Sequence, residues 1–410
     1  MSAITMTSGK ARVISKPRMI WMGVTFLVLG ILIFALFLPG TTTAQKTEFG
    51  LTTFTKVEVI PLPPLILPTQ IVIIVVGIIC LGLGAYQLAR GFGRATEVVL
   101  GLVALMFIIA FLTWAAKDKA FNLTGILKTT LLLATPIALG GFSGVLSERA
   151  GVVNIAIEGM MLSSAFMSTL VGSITGNLYI GLLSGIGIGV VMASLHAVLS
   201  IKYKVDQIIS GVVINILATG LTSYLASRFL EVHQELNNPG TFQPIAIPVL
   251  SRIPIIGPVL FENNLIVYLM FILMFGIHFM LFYTRWGLRT RAVGEHPKAA
   301  DTLGINVFKM RYVNVWLSGA VAGVGGAFFT LGAVGRFNEV MTAGKGYIGL
   351  AAMIFGKWTP FGAFGASLIF GFADSLQTKL QILDVPIPSE FLLMAPYLAT
   401  IIAEIGRAHV

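Results

Sequence analysis

The sequence contains few charged residues for its length. Only 11% of its 410 residues are Asp, Glu, Lys or Arg, whereas 56% are hydrophobic, and the mean hydropathy is +0.91. A soluble domain of this composition would expose a very large apolar surface to water, so a soluble globular fold is excluded. A lipid bilayer is therefore the expected surrounding of most of the chain.

Cysteine and the common catalytic motifs are also scarce or absent. The one cysteine, Cys80, lies in an apolar run, which excludes an intrachain disulfide and a cysteine-based metal site. The five histidines form no H-E-x-x-H motif, and the sequence contains no G-x-S-x-G nucleophile motif. These absences argue against an enzyme, a resident metal or another cofactor.

A phosphate-binding loop of the form G-x-x-x-x-G-K-S/T is likewise absent. The pairs Gly344-Lys345 and Gly356-Lys357 lack both the earlier glycine and the following serine or threonine. The chain therefore does not bind ATP through this motif, and any ATP would be bound by a partner subunit.

Long apolar runs dominate what is present. A bilayer core about 30 Å thick is crossed by about 20 apolar helical residues. The runs predict an all-α polytopic membrane protein with about twelve segments, two of them short. The segments are Ile20–Leu38, Leu67–Leu88, Glu97–Ala115, Ile126–Ser147, Ile155–Gly172, Leu178–Ile201, Gln207–Leu230, Leu265–Tyr283, Tyr312–Val334, Tyr347–Gly356, Phe361–Leu376 and Phe391–Ile405. The first is too long for the core of an ordinary signal peptide, so we interpret it as a retained span.

The basic residues indicate the orientation of these segments. The formal net charge is +10, yet Lys and Arg are scattered through short connectors instead of gathering on one soluble face, which argues against a nucleic-acid partner. Membrane proteins carry an excess of basic residues in their cytoplasmic connectors. The pattern predicts that the N- and C-termini are both cytoplasmic.

Two segments of the sequence resemble each other. Gly151-Val-Val-Asn-Ile-Ala-Ile-Glu-Gly-Met-Met-Leu and Gly344-Lys-Gly-Tyr-Ile-Gly-Leu-Ala-Ala-Met-Ile-Phe each open a helix with a glycine and soon reach a methionine. Because the two would cross the membrane in opposite directions, they indicate two inverted five-span repeats. We therefore predict an N-terminal extension with two spans at 1–95 and a core at 96–410. In that core, repeats at about 96–230 and 264–410 are joined by an extracytoplasmic connector at 231–263.

Interrupted helices at matching positions of two repeats point to a substrate site. In the first break, Asn154 is placed to cap the following helix, and Glu158 lies one turn further on the same face. In the second break, the ring of Tyr347 or Trp358 could stack on a flat base or on a sugar.

Each of these residues also has a purely structural interpretation. Glu158 could pair with Lys128 or Arg149 and only fix helix packing. The aromatic rings could anchor the chain at the membrane interface.

A cytoplasmic connector contains Gly294-Glu-His-Pro-Lys-Ala-Ala-Asp-Thr-Leu-Gly-Ile. It predicts a short amphipathic helix with Pro297 in its first turn and Gly304 at its end. Ala299 and Ala300 would let another surface come close, so we predict that an ATPase subunit docks here. The alternative is a basic loop that rests on lipid headgroups.

Two motifs in this order resemble a known family. The segment Ser147-Glu-Arg-Ala-Gly-Val-Val-Asn-Ile-Ala-Ile-Glu-Gly-Met and the segment from Gly294 to Ile305 are similar to motifs of bacterial ATP-binding-cassette importer permeases for branched-chain amino acids, simple sugars and nucleosides. The nucleoside type is the most similar, over roughly Ile126 to Glu404, and a small-residue helix from Leu317 to Ala327 fits it. The departures are the two extra N-terminal spans and Glu295-His296, where the family commonly has Asn after the glycine.

The resemblance implies a homo- or heterodimer of permease chains in the bacterial cytoplasmic membrane. ATPase subunits would bind inside and an extracytoplasmic solute-binding protein outside, and alternating access would carry nucleosides or simple sugars inward. By this resemblance the substrate path would be lined by Asn154, Glu158 and Tyr347, and coupling to the ATPase would use Gly294, Pro297, Ala299, Ala300 and Gly304.

Other functions stay open at this point. A secondary transporter driven by an ion gradient would use Glu158 as its mid-membrane carboxylate. A passive channel or structural subunit would need neither the docking segment nor the two breaks. The solute itself is also open among nucleosides, simple sugars, riboflavin-like compounds and amino acids.

Overall fold

A computed structural model of the chain describes residues 16–53 and 60–383 and, beyond these, only Phe391 and Met394. Apart from Phe391 and Met394, the predicted twelfth segment, Phe391–Ile405, lies outside the described residues, and so do the two termini. Helices dominate the described part of the chain, as the sequence predicts.

Nine helices in the described ranges are long and apolar enough to cross a bilayer. They are Pro17–Phe37, Thr69–Ala89, Thr96–Ala115, Leu123–Glu148, Ile157–Thr175, Leu178–Lys202, Gln207–Leu230, Leu265–Tyr283 and Val307–Val334. They correspond to the first nine predicted segments, with ends displaced by a few residues. The tenth and eleventh segments form the short helix Lys345–Phe355 and the helix Pro360–Ile382. The total of about twelve spans stays a prediction.

The described residues form two compact units: unit 1 contains residues 16–52, 61–123 and 383, and unit 2 contains residues 53, 60 and 124–382. Unit 1 contains three helices: α1 (Lys16–Leu32, continued as a π-helix over Ile33–Phe37), α2 (Thr69–Ala89) and α3 (Thr96–Ala115). Their shared core contains Phe26, Ile33, Ile73, Cys80, Val103 and Ala110. The predicted boundary at 95/96 assigned α3 to the repeats instead, and that division stays a prediction.

A small β-sheet accompanies these helices, which the all-helical expectation missed. Strand β1 (Lys46–Gly50) pairs antiparallel with β2 (Leu65–Pro68) and parallel with β3 (Ala120–Asn122). The side chains of β1 alternate between buried and exposed, with Thr47 and Phe49 inside. Such a short alternating run between two apolar helices gives a weak sequence signal, so it was overlooked.

Unit 2 contains the remaining helices. They are α4 (Leu123–Glu148), α5 (Ile157–Thr175), α6 (Leu178–Ala197), α7 (Gln207–Leu225), α8 (Ile256–Leu260), α9 (Leu265–Tyr283), α10 (Arg285–Glu295), α11 (Pro297–Thr302), α12 (Val307–Ala327), α13 (Lys345–Phe355) and α14 (Pro360–Ile382). π-Helical turns extend α6 to Lys202, α7 to Leu230 and α12 to Val334. In the connector before α9, strands β4 (Ile245–Ala246) and β5 (Glu262–Asn263) pair antiparallel.

The small-residue helix α12 packs very closely against α6. A Cβ added to Gly189 would lie 2.4 Å from the carbonyl oxygen of Gly319, and one added to Gly323 would lie 2.7 Å from that of Gly185. Glycine is needed at such contacts because any side chain would separate the two backbones. The close packing predicted for this helix is confirmed.

Candidate functional site

Both sequence breaks are real interruptions between helices of unit 2. After α4 ends at Glu148, the chain runs without regular structure until α5 begins at Ile157. After the π-helical end of α12, a second irregular segment leads to α13. Gly151 and Gly344 have φ angles of +78° and +80°, a left-handed conformation that favours glycine.

Glu158 joins the two breaks. Its Oε1 accepts hydrogen bonds from the Thr342 hydroxyl at 2.6 Å and from Gly344 N–H at 2.8 Å, and its Oε2 accepts from Gly346 N–H at 2.7 Å. The carboxylate thus lies at the N-terminus of α13, where free N–H groups and the helix dipole favour negative charge. The side chain is only 8% exposed.

The two cations that could have paired with Glu158, Lys128 and Arg149, have other partners. Lys128 forms an ion pair with Glu262 at 3.5 Å. Arg149 donates to the carbonyl oxygens of Trp358 and Lys357 at 3.0 and 3.3 Å. The second break therefore supplies the partners of Glu158, and no cation expected from the sequence does.

Glycine makes this approach possible. A Cβ on Gly346 would lie 2.7 Å from the Cα of Glu158, and a Cβ on Gly349 would lie 2.9 Å from the backbone of Gly140 and Gly141. The first turns of α13 therefore pack backbone to backbone against α5 and α4.

Asn154 does not cap α5, and this part of the prediction is wrong. The N-cap position is Ala156, which makes no side-chain capping bond. Asn154 is fully buried, accepts from Ala156 N–H at 3.1 Å and donates to the Ser318 hydroxyl at 3.0 Å, and Ser318 in turn contacts Ser143 at 2.8 Å. The amide of Asn154 thus ties the first break to α12 directly and, through Ser318 and Ser143, to α4.

Tyr347 lies next to this arrangement and is the most exposed of the three predicted path residues, at 44%. Its hydroxyl accepts a hydrogen bond from the Asn215 amide at 2.8 Å. Sequence reasoning missed Asn215, although an amide in the middle of an apolar span was a usable signal.

The other predicted groups of the second break have structural partners. Lys345 forms an ion pair with Asp374 of α14. The indole N–H of Trp358 donates to Glu148 at 2.6 Å. Arg149, in the first break, is affected by both burial and nearby charges. Burial lowers the pKa of its guanidinium, the positive charge of Arg291 lowers it further, and the negative charge of Glu295 raises it.

The segment from Gly294 to Ile305, which was predicted to be cytoplasmic, forms the expected short helix. Pro297 is the first residue of α11, and Gly304 follows its end with a φ of +74°. A Cβ on Gly294 would lie 2.3 Å from the carbonyl oxygen of Arg149, so this backbone lies directly against the first break.

The two alanines of α11 differ in their surroundings. Ala299 is exposed, but Ala300 is only 2% exposed and packs against Val293 and Met310. The expectation that both alanines face another surface is therefore wrong for Ala300, because α11 turns that side chain onto α10 and α12.

Within residues 16–53 and 60–383, no group of three or more His, Cys, Asp or Glu residues could hold a metal ion.

Comparison with known proteins identifies the family. Residues 126–402 match the family described as branched-chain amino acid transport system / permease component. The chain is 42% identical over 295 residues to the guanosine ABC transporter permease protein NupQ of Bacillus subtilis, covering 69% of this chain and 92% of the relative. It is 42% identical over 286 residues to the nucleoside ABC transporter permease protein NupC of Lactococcus lactis, covering 68% and 90%.

A more distant relative is the putative glucose ABC transporter permease protein TsgC13 of Haloferax volcanii. It is 36% identical over 261 residues, which cover 64% of this chain and 79% of the relative. No solved structure matches the chain. The expected resemblance is confirmed, as is the expectation of a transport protein instead of an enzyme. This chain belongs to the permease component family of branched-chain amino acid transport systems.

Proposed function

We propose that this chain is the membrane permease of an ATP-driven importer that carries nucleosides or related simple sugars into a bacterial cell. The observation that carries the proposal is the contact of the two helix breaks through Glu158, since transporters with inverted repeats bind substrate between such broken helices. The names of the two relatives at 42% identity favour nucleosides over the other solutes.

In this proposal, the residues of the path have different tasks. Tyr347 presents an exposed ring that could stack on a base or on the apolar face of a sugar. Glu158 and Asn154 hold the shape of the path, because they are buried and their polar atoms already bond to protein groups. Movement of either break would release these groups to a polar solute.

The docking segment has a short route to this site. A push on the exposed side of α11, at Ala299, would pass through buried Ala300 to α10 and α12. Gly294 would then press on the backbone at Arg149, five residues before Asn154. Pro297 and Gly304 fix the two ends of α11, so the segment moves as a rigid piece.

The proposed assembly follows from this mechanism. A second permease chain, identical or different, completes the path, an ATPase docks on α11, and an extracytoplasmic solute-binding protein delivers the solute. The chain spans the bacterial cytoplasmic membrane with both termini inside, and the inverted repeats at about 96–230 and 264–410 supply one break each.

The test is uptake of labelled guanosine and ribose into vesicles carrying this chain with its ATPase and any partner permease. We expect uptake that needs ATP and survives collapse of the proton and sodium gradients. Uptake that ignores ATP and follows an ion gradient would overturn the proposal in favour of a secondary transporter. Passive equilibration without ATP would indicate a channel.

A further inference from the structure

We propose that Asn215 is a positioning residue that holds both helix breaks together and thereby sets the solute preference of the site. This proposal rests on the function proposed above. Asn215 lies on α7 and is only 5% exposed. Its Oδ1 accepts from Gly159 N–H at 2.8 Å, and its Nδ2 donates to the Ile155 carbonyl at 2.9 Å and to the Tyr347 hydroxyl at 2.8 Å. Both amide hydrogens and the amide oxygen are thus engaged.

The bond from Gly159 N–H caps α5 from outside the helix, and the bond to the Ile155 carbonyl holds the chain just before the helix begins. Gly159 is the third residue of α5, and the N–H groups of the first turn have no partner within their own helix. A capping side chain normally comes from the residue just before the helix, but that residue is Ala156 here. Asn215 therefore performs the capping role that the sequence suggested for Asn154.

The third bond fixes the exposed ring of the second break. With its hydroxyl held by buried Asn215, the Tyr347 ring can no longer rotate freely about its side-chain bonds, although the residue remains 44% exposed. A ring in a fixed orientation discriminates between flat solutes by shape, because stacking depends on ring offset and angle.

One face of α7 follows the first break over two helical turns. Gln207 accepts from Val153 N–H at 2.7 Å, and a Cβ on Gly211 would lie 2.9 Å from the Cβ of Ile155. Gln207, Gly211 and Asn215 are four residues apart, which places them on one side of the helix. One side of α7 thus contacts the first break along its length, and Asn215 also contacts the second break through Tyr347.

The test compares Asn215→Ala with Thr222→Ala in the vesicle assay. Thr222 lies on the same helix and is similarly buried, but its hydroxyl bonds only to carbonyl oxygens of α7, so Thr222→Ala should keep wild-type uptake. For Asn215→Ala we expect the KM for nucleosides to rise about tenfold while the maximal rate per inserted chain falls less than about twofold. The KM values of guanosine and uridine should change by unequal factors.

The Tyr347→Phe variant removes the contact of Asn215 with the second break and keeps its contacts with the first break. If Asn215 acts through the ring, Tyr347→Phe should change the guanosine-to-uridine ratio in the same direction, and the double variant should add little to Asn215→Ala. Equal loss of maximal rate for both solutes, with an unchanged ratio, would overturn the proposed effect on preference.

Hydrogen exchange gives an answer that does not need transport. In the purified chain, Asn215→Ala should speed amide exchange in peptides covering both 151–162 and 344–355, whereas Thr222→Ala should change neither. Faster exchange in the first peptide alone would show that Asn215 does not join the breaks. If the wild-type assembly carries no nucleoside, the proposed function fails, and this measurement still decides whether Asn215 holds both breaks.

Discussion

The helices of unit 1 and the most buried helices of unit 2 combine hydropathy and burial in opposite ways. The three spans of unit 1 have mean hydropathies of 2.6, 2.5 and 2.7 over an 18-residue stretch, and only 28% of the residues in each stretch are buried within the protein. In unit 2, the corresponding stretches of α4 and α5 have mean hydropathies of 1.6 and 1.3, yet 83% and 72% of their residues are buried. The most buried spans are thus the least apolar, because small and polar groups make their contacts with other helices, whereas the other spans leave most of their apolar side chains exposed.

The buried polar groups serve different purposes in the two units. In unit 1, Thr47 bonds to the Thr69 hydroxyl and to the carbonyl oxygen of Thr113, so these groups fasten a sheet to its helices. In unit 2, Glu158 and Asn215 hold the ends of interrupted helices. The family match begins at residue 126, just inside unit 2. Changes at close contacts should therefore affect transport in unit 2 and only local stability in unit 1.

The largest effect is expected from Glu158→Ala. It removes three hydrogen bonds to a buried carboxylate, each typically worth about 1.5–3 kcal/mol, so uptake should fall at least about 100-fold. Glu97→Ala is the matched change in unit 1, where the carboxylate forms an exposed ion pair with Arg18 that contributes little. ATP-dependent uptake at equal membrane levels measures both. Wild-type uptake by Glu158→Ala would contradict the role of the two breaks.

Gly294→Ala should uncouple ATP hydrolysis from transport. The added Cβ would lie 2.3 Å from the Arg149 carbonyl oxygen and would push the docking segment away from the first break. Solute carried per ATP should fall about tenfold, while ATP hydrolysis continues. Gly101→Ala in α3 is the control, since a Cβ there meets no described atom within 4 Å. An unchanged ratio in Gly294→Ala would show that this contact transmits nothing.

Gly346→Ala should destabilise unit 2. Its Cβ would overlap the Glu158 backbone, and overpacking of this kind typically costs about 1–3 kcal/mol. The control is Gly82→Ala in α2, where the described surroundings leave open space, so the change should not lower stability and should raise it by about 0.5–1 kcal/mol. Thermal unfolding of the purified variants compares them. Equal stability of the two would mean that the close approach of α13 and α5 is not needed.

The smallest effect is expected from Thr47→Val in unit 1. It removes both hydroxyl contacts of β1 and should lower the free energy of local opening by about 1–2 kcal/mol without changing uptake. Thr25→Val, whose exposed hydroxyl bonds only to the Trp21 carbonyl of its own helix, should change neither quantity. Hydrogen exchange of the peptide around Lys46–Gly50 is the measurement. A loss of uptake would show that unit 1 takes part in transport.

Much of the membrane fold follows from the sequence because apolar length alone determines where a helix can cross. The short strand β1 does not, since five alternating residues between spans resemble an ordinary loop. From the similarity of the two breaks, the sequence predicted that Glu158 and Tyr347 belong to one site. It could not supply the partners of Glu158, which lie 184 to 188 residues further along the chain. Ala299 and Ala300 looked equivalent because only the fold determines which faces inward.

The partners of Glu158 have a consequence for how this protein can change over evolutionary time. Two of its three hydrogen-bond donors are backbone amides, at Gly344 and Gly346, and every residue except proline carries such a donor. Most substitutions in the second break therefore keep these donors, and they are restricted instead by the left-handed φ of Gly344 and by the lack of space at Gly346. Solute preference can therefore diverge there while the hydrogen bonds between the two breaks are kept.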